Sequence, residues 1–229
     1  MVKVLSFSLW GDNPTYTVGA IRNAVQAKTV YPDFECWFYT HTPSVPEETV
    51  ETLRAMGNVK IIEKTGDLNT TKPMMWRFEA IDHPSVELFM SRDVDTRILK
   101  RELLAVDEWL ASDKKLHIMR DHPWHKEKIQ GGMFGVKGDG RRWAELASAV
   151  VQSGHRYYDQ TFLANVIYPM YYSQGSAMIH ASFNRFEGDE CRPFPITHAE
   201  DDYRFVGEYV YADETRNAQN KAEVIRGHL

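Results

Sequence analysis

The alternation of strand-like and helix-like segments up to residue 112 is the feature that most restricts the fold of this chain. Runs rich in β-branched and aromatic residues alternate with segments whose apolar residues recur at helical spacing. The predicted strands are VKVLSFSLW (2–10), FECWFYT (34–40), NVKIIEK (58–64) and SVELFMSR (85–92), and the predicted helices cover 15–31, 45–56, 71–82 and 99–112. This order predicts an α/β fold, a mostly parallel sheet with helices on both faces.

A further strand is predicted at 115–121. Beyond Gly131 the pattern is less regular: the glycine-containing segment GGMFGVK (131–137) is followed by predicted helices near 139–152 and 158–167 and by short predicted strands near 176–181 and 204–211. No linker, internal repeat or low-complexity segment divides the 229 residues, a length that suffices for one hydrophobic core. We therefore expect residues 1–229 to form a single domain.

The charge balance argues against general binding to nucleic acid or anionic membranes, since both need a basic surface. Lys and Arg total 27 against 32 Asp and Glu, a net charge of −5. The N-terminal residues lack the apolar core of a secretory signal, and polar residues and Pro169 interrupt the uncharged run 160–184 too often for a transmembrane segment. Cys36 and Cys191 lack metal-ligand spacing and fit a reduced, cytoplasmic protein.

Two aspartates one residue apart, Asp93 and Asp95, follow the fourth predicted strand, with Arg92 and Arg97 on either side. Parallel sheets bind ligands outside the carboxyl ends of their strands. Carboxylates this close repel unless they share a cation, and Mg²⁺ or Mn²⁺ typically binds carboxylates together with substrate phosphates. The pattern favours a metal-dependent phosphate site. The alternative is a polar turn in which Asp95 is the N-cap of the next helix.

A second chemistry also uses such a pair. Phosphatases and mutases of the haloacid dehalogenase type carry D-x-D-x-[TV] after their first strand, and their first Asp is a nucleophile. Asp93 would take that role here. However, Arg97 occupies the fifth position, and the motif follows the fourth predicted strand.

Six strings, MSRDVDTRI, RELLAVDEWLAS, HIMRDHPWH, GGMFGVK, YYDQTFL and FVGEYV, together resemble a family of small nucleotide-sugar glycosyltransferases of bacteria and large DNA viruses. The resemblance extends over about residues 4–211. It implies a single-domain, Rossmann-like GT-A fold. It also implies transfer of a sugar from a nucleotide-sugar donor, commonly a UDP-sugar, to a glycan or other hydroxyl acceptor with Mn²⁺ or Mg²⁺.

The resemblance also implies roles for individual residues. Asp93 would face the donor ribose or phosphate and the metal, and Asp95 would be a direct metal ligand. A late histidine often completes the metal shell in this fold, and His180 is the first candidate, ahead of His198. This chain has Ala181 where the family has an acidic residue after that histidine.

Asp159 and Gln160 in YYDQTFL resemble a D-Q pair that lines the sugar pocket of several retaining families. An Asp accepts hydrogen bonds from sugar hydroxyls, and a Gln amide both donates and accepts. The alternative is that Asp159 caps its helix. An inverting enzyme needs a carboxylate base, for which Asp121 or Asp159 would serve. In a retaining enzyme the leaving diphosphate itself can assist, so no dedicated base is required. The sequence does not distinguish the inverting from the retaining reaction.

The residues expected to contact the donor lie at strand ends or close to the Asp pair. They are Ser8, Trp10, Thr40, Arg77, Arg92, Asp93, Gly131 and Gly132. Each has a structural alternative: Trp10 as a core aromatic, Arg77 as a surface salt bridge, and the two glycines as a tight turn. His122 and His125 are weak evidence for zinc and favour a solvated or acceptor-facing loop. A nucleotide-sugar-binding module without catalysis also stays open.

Overall fold

A computed structural model of the chain describes residues 1–68, 72–138, 140, 142–151 and 158–228. Its centre is a seven-stranded sheet in the order β3-β2-β1-β4-β6-β5-β7. The strands are β1 (Val2–Leu9), β2 (Phe34–His41), β3 (Val59–Lys64), β4 (Val86–Arg92), β5 (Leu116–Arg120), β6 (Met133–Lys137) and β7 (Ala177–Ala181). Only β6 runs antiparallel to its neighbours, β4 and β5. The predicted mostly parallel, mixed α/β sheet is confirmed.

Eight α-helices connect and cover these strands in the described part of the chain. They are α1 (Pro14–Val30), α2 (Glu47–Arg54), α3 (Pro73–Trp76), α4 (Lys100–Leu110), α5 (Trp143–Val151), α6 (Tyr158–Phe162), α7 (Tyr168–Tyr172) and α8 (Ala218–Gly227). A 3₁₀ turn, Arg77–Asp82, extends α3, and a π turn, Leu163–Ile167, joins α6 to α7. None of these helices combines the length and the apolar character that crossing a bilayer requires.

The core has one layer on each face of the sheet, as expected for helices on both faces. On one face, α1, α2 and α4 pack through Ala24, Leu53 and Val106. On the other face, the 3₁₀ turn and the helices after β6 pack through an aromatic cluster that includes Phe78 and Trp143. Because successive side chains of β1 point to opposite faces of the sheet, this strand contributes residues to both layers. Cys36 and Cys191 are buried and free.

One sequence prediction about the C-terminal region is wrong. The predicted strand 204–211 is an irregular segment with a turn at residues 206–207 and one isolated bridge, between Val210 and Arg216. It enters through Asp202 and Tyr203, both in the left-handed backbone region, and Val210 N–H donates to the carbonyl of Asp95. The segment therefore packs across the Asp pair turn instead of joining the sheet. Helix α8, which the sequence analysis did not predict, follows this segment with Asn217 as its N-cap.

Helix α4 packs charged as well as apolar side chains into the core. Leu103 and Leu110 are only partly buried, whereas the charged residues Arg101 and Glu102 are buried completely. Both make ion pairs in the core, described below. The apolar periodicity could not indicate this, because the partners lie on β4 and after β5.

Candidate active site

The Asp pair lies in the turn after β4, at the carboxyl edge of the central strands. Helix α1 fixes this turn from one side. The Asn23 amide donates to the carbonyls of Val94 and Thr96, at 3.1 and 2.9 Å. A Cβ on Gly19 would lie 2.0 Å from the Val94 carbonyl oxygen, so only glycine permits this approach. The sequence analysis missed both residues, although Gly and Asn inside a helix are signals in themselves.

The capping alternative for Asp95 is wrong. Helix α4 begins at Lys100 with Leu99 at its N-cap, and no side chain caps it. The Thr96 hydroxyl instead donates to the carbonyl of Asp93 at 2.9 Å. Both carboxylates of the pair are thus left to face a cavity.

Two adjoining cavities form the candidate site. The first, of about 200 Å³, contains the Asp pair, and the second, of about 630 Å³, contains the D-Q pair. The first is lined by Ser8, Trp10, Tyr16, Met74, Arg77, Asp93, Val94 and Asp95, and the second by Met74, Glu127, Asp159, Gln160, Thr161, Ala164 and Asn165. Met74 lines both, so the cavities are neighbours. Tyr16, Met74 and Glu127 were not among the predicted site residues.

Arg77 connects the two cavities. Its guanidinium forms an ion pair with Asp93 and lies 3.7 Å from Oδ2 of Asp159. Its backbone is fixed to β1, since its N–H donates to the Ser8 hydroxyl and its carbonyl accepts from Ser6. Arg77 is only 5% exposed, so the surface salt-bridge alternative is wrong.

The glycine pair before β6 packs against the same carboxylates. A Cβ on Gly132 would lie 1.9 Å from Oδ2 of Asp93, and one on Gly131 would lie 2.6 Å from the Arg77 guanidinium. The Ser91 hydroxyl donates to the Gly131 carbonyl at 2.6 Å and holds the pair in place. With its amide nitrogen facing Ile129, Gln160 also binds this segment. The glycines therefore permit a close approach of backbone to site.

Burial raises the pKa of one carboxyl group in each cavity. Burial, reinforced by the neighbouring charge of Asp93, raises the pKa of Asp95 to about 7. Burial also raises the pKa of Asp159, although Arg77 opposes the shift. Asp159 is 3% exposed and its Oδ1 atom has no hydrogen-bond partner. Asp159 lies in the first turn of α6. A buried, unsatisfied acceptor beside a cavity is suited to a ligand hydroxyl.

The residues present fit a divalent cation that shares its ligands with a substrate. Asp93 and Asp95 line the same cavity, where Arg77 pairs with Asp93. Among the described residues, no group of three His, Cys, Asp or Glu side chains could hold a metal ion. Mg²⁺ and similar ions commonly take one or two protein carboxylates and fill their other positions with phosphate oxygens and water.

The two histidines proposed as further ligands contact other groups. His180 is fully buried, with Nδ1 2.9 Å from His117 and Nε2 3.1 Å from Glu108. His198 is buried between Asp121 and His228. Both ring nitrogens of each residue are therefore engaged, and the structure does not bring either histidine to the Asp pair.

Asp121 is a structural residue, which contradicts its prediction as a base. It is fully buried and makes two hydrogen bonds of 2.8 Å with Arg101. It also accepts from Ser182 and from the N–H of Val206, at 2.7 and 2.9 Å. Burial alone would raise its pKa, but the hydrogen bonds from His198 and Arg101 lower the pKa to about 2. Its carboxylate has no free position for a substrate proton.

Two predicted donor contacts also lie away from the cavities. Arg92 is 3% exposed, and its guanidinium binds Glu102 and the carbonyl of Phe134. Alternation along β4 directs it to the opposite side from Asp93. Thr40 is fully buried, and its hydroxyl donates to the Phe38 carbonyl at 3.3 Å. Both predictions are corrected by the structure, because these side chains are satisfied within the core.

The histidines of RDHPWH do not form a metal site. Nδ1 of His125 accepts from the N–H of Asp121 at 3.0 Å, and Nδ1 of His122 accepts from the N–H of Trp124 at 3.2 Å. Both rings pack on Phe205. They fix the loop between β5 and β6.

Comparison with known proteins agrees with the fold. No family model matches the sequence, and no curated protein does. A glycosyltransferase involved in the glycosylation of the major capsid of PBCV-1 matches in structure with a TM-score of 0.51 and 15% identity, over 79% of this chain and 81% of that one. The galactosyltransferase LgtC, in complex with donor and acceptor sugar analogs, matches with a TM-score of 0.51 and 11% identity, over 77% and 72%. At these identities the likeness shows the fold, and this chain has the GT-A fold of these enzymes.

Proposed function

We propose that the chain is a glycosyltransferase that moves a sugar from a nucleotide-sugar donor to a hydroxyl acceptor. The observation that carries this proposal is the pair of adjoining cavities joined by Arg77, with Asp93 and Asp95 in one and Asp159 and Gln160 in the other. The sequence resemblance and the shared fold support it. A UDP-sugar is the first donor to test.

The smaller cavity suits the nucleotide. Trp10 and Tyr16 offer aromatic faces for a base or ribose, and Ser8 offers a hydroxyl. Asp93 and Asp95 would hold Mn²⁺ or Mg²⁺. When bound, this ion supplies positive charge that stabilises the leaving diphosphate. The ion pair with Arg77 orients Asp93, which lines this cavity.

The larger cavity suits the transferred sugar and the acceptor hydroxyl. The free Oδ1 of Asp159 can accept a hydrogen bond from a sugar hydroxyl, and Gln160 positions the Ile129–Gly131 backbone beside it. With Asp121 enclosed in the core, Asp159 is the remaining predicted candidate for a base in an inverting reaction. Its raised pKa brings it closer to the range in which a general base works.

Donor hydrolysis in the absence of acceptor tests this function. The purified chain is incubated with UDP-glucose, UDP-galactose, UDP-N-acetylglucosamine, GDP-mannose and dTDP-rhamnose, with Mn²⁺ or with EDTA, and the released nucleoside diphosphate is measured. We expect nucleoside diphosphate to be released from donors of one nucleotide class, and we expect EDTA to abolish this release. Metal-dependent binding without release indicates the non-catalytic module. A phosphoaspartate without nucleotide affinity indicates the phosphatase.

Replacing Gly132 by alanine is expected to reduce donor hydrolysis at least about tenfold while the protein stays folded. The added methyl group would lie 1.9 Å from Oδ2 of Asp93 and must displace that carboxylate. Misplacing a catalytic group by about 1 Å can cost on the order of a hundredfold in rate. Gly57→Ala is the matched control, because a Cβ there meets nothing within 4 Å. Equal rates for the two variants would show that Asp93 does not need its present position.

A further inference from the structure

Trp124, in the loop between β5 and β6, has no role in the proposed transfer site. It keeps 68% of its surface exposed, whereas Trp37, Trp76, Trp109 and Trp143 are at most 8% exposed. A tryptophan offers one of the largest apolar surfaces of any side chain, and leaving it in water forgoes the stabilisation of burial.

The loop that carries Trp124 is fixed in place. The Asn184 amide donates to the carbonyls of Pro123 and His125, at 3.0 and 3.1 Å. The N–H of Lys126 donates to the Trp124 carbonyl at 2.9 Å, which closes a tight turn. The indole lies beside Glu223 of α8. A side chain presented on a braced loop loses little freedom on binding, which favours affinity.

Topology places this loop at the edge of the sheet that holds the Asp pair. Strand β6 is antiparallel to both β4 and β5, so β4 and β5 end at the same edge. The loop starts after β5 and ends at Gly132, which packs against Asp93. Within it, Glu127 lines the cavity of Asp159. Trp124 is three residues from Glu127, a Cα separation of at most about 11 Å.

The groups around Trp124 suit a carbohydrate. Glu127 is exposed, and its carboxylate makes no ion pair or hydrogen bond with any described residue. It can therefore accept bonds from hydroxyl groups. The Lys126 ammonium lies over the Trp124 ring, 5.6 Å from its centre. An exposed aromatic ring with charged hydrogen-bonding groups close to it matches a sugar ring, which has an apolar C–H face and a rim of hydroxyls.

We propose that Trp124 and Glu127 form an acceptor subsite and that the acceptor is an oligosaccharide. One sugar would present its hydroxyl in the cavity of Asp159, and the next sugar would stack on Trp124. Glu127, located between these two positions, would accept hydrogen bonds from sugar hydroxyls. This inference rests on the proposed transferase function and names its acceptor class. It predicts that a single sugar is a poorer ligand than a chain of two or more.

A printed glycan array tests the subsite. Wild type, Trp124→Ala, Trp124→Phe and Glu127→Gln are applied with UDP and Mn²⁺, and thermal denaturation confirms that each is folded. Val25→Ala is the control, since Val25 is an apolar residue that is 50% exposed on α1. We expect wild type to bind oligosaccharides. Trp124→Ala should weaken them at least about tenfold, as truncation of a central aromatic contact does, and Trp124→Phe should restore most of the binding.

The outcomes test the acceptor subsite separately from the transferase function. If wild type hydrolyses a donor sugar but binds no glycan, or binds it equally well as Trp124→Ala, the subsite is overturned and the transferase function stands. If wild type neither hydrolyses donor nor binds nucleotide, the function fails and the subsite with it. A dimer in solution that Trp124→Ala dissociates would assign the exposed indole to a second copy of the chain instead.

Discussion

The Arg101→Met variant is expected to lose about 3–5 kcal/mol of unfolding free energy, the largest effect on stability that we predict. Arg101 is 1% exposed and binds both oxygens of the fully buried Asp121 at 2.8 Å. Methionine would keep much of the volume but leave a buried carboxylate without its cation. Urea denaturation followed by circular dichroism measures the difference from wild type.

An exposed ion pair provides the control. Arg54 pairs with Glu63, and both side chains are about half exposed, so Arg54→Met should cost less than about 1 kcal/mol. A similar loss in both variants would contradict the structural role of the buried pair.

Acid denaturation checks the same carboxylate independently. The pKa of Asp121 in the folded protein is lowered to about 2, below the usual range for an unfolded Asp. Its contribution to stability is therefore complete at neutral pH and is lost as the pH falls from about 4 through 2. In Arg101→Met this acid-dependent loss should shift to higher pH.

The Asp95→Asn variant is expected to lose metal-dependent donor hydrolysis by a factor of about 100 or more. A divalent ion on a leaving phosphate contributes several kcal/mol to a transition state, and each 1.36 kcal/mol is a factor of ten. An amide keeps the shape of the carboxylate but lacks its charge. The fold should persist, because Val210 binds the backbone carbonyl of Asp95 and not its side chain.

Release of nucleoside diphosphate at saturating Mn²⁺ measures this loss. Asp33→Asn is the matched control, since Asp33 is exposed in the turn before β2, away from both cavities. An Asp95→Asn enzyme as active as Asp33→Asn would remove the Asp pair from the mechanism.

Much of the fold could be predicted because it depends on local patterns. The strand and helix periodicities located six of the seven strands of the sheet, all except β6 (Met133–Lys137). The position of the Asp pair after β4 placed it at the ligand-binding edge. The strand predicted at 204–211 failed because alternation alone does not supply a partner strand. Two left-handed residues, Asp202 and Tyr203, precede this segment, Gly207 also has a positive φ, and the N–H of Val210 donates to the carbonyl of Asp95.

The site could be predicted only where a residue's position in a motif fixes its direction. Gly132 and Arg77 lie against Asp93, and Gly131 lies against Arg77 and Asp159, as expected from their places in the chain. Asp121 and Arg92 look equally suitable in the sequence, yet each is enclosed by a partner on α4, Arg101 and Glu102. Buried ion pairs between distant segments leave no periodic signal. For the same reason the sequence did not reveal Asn23, which holds the turn from α1.

Calorimetric titration with nucleoside diphosphates tests the central claim most directly. UDP, GDP, CDP, ADP and dTDP are titrated into wild type and Asp95→Asn, each with Mn²⁺ and with EDTA. We predict that one nucleotide binds wild type in the presence of Mn²⁺, and that EDTA or the Asp95→Asn substitution weakens this binding at least about tenfold. At a concentration of a hundred times its Kd, the nucleotide should add roughly 2.7 kcal/mol to the unfolding free energy. Binding of no nucleotide by folded protein, or binding indifferent to both metal and Asp95, would contradict a metal-dependent nucleotide-sugar site.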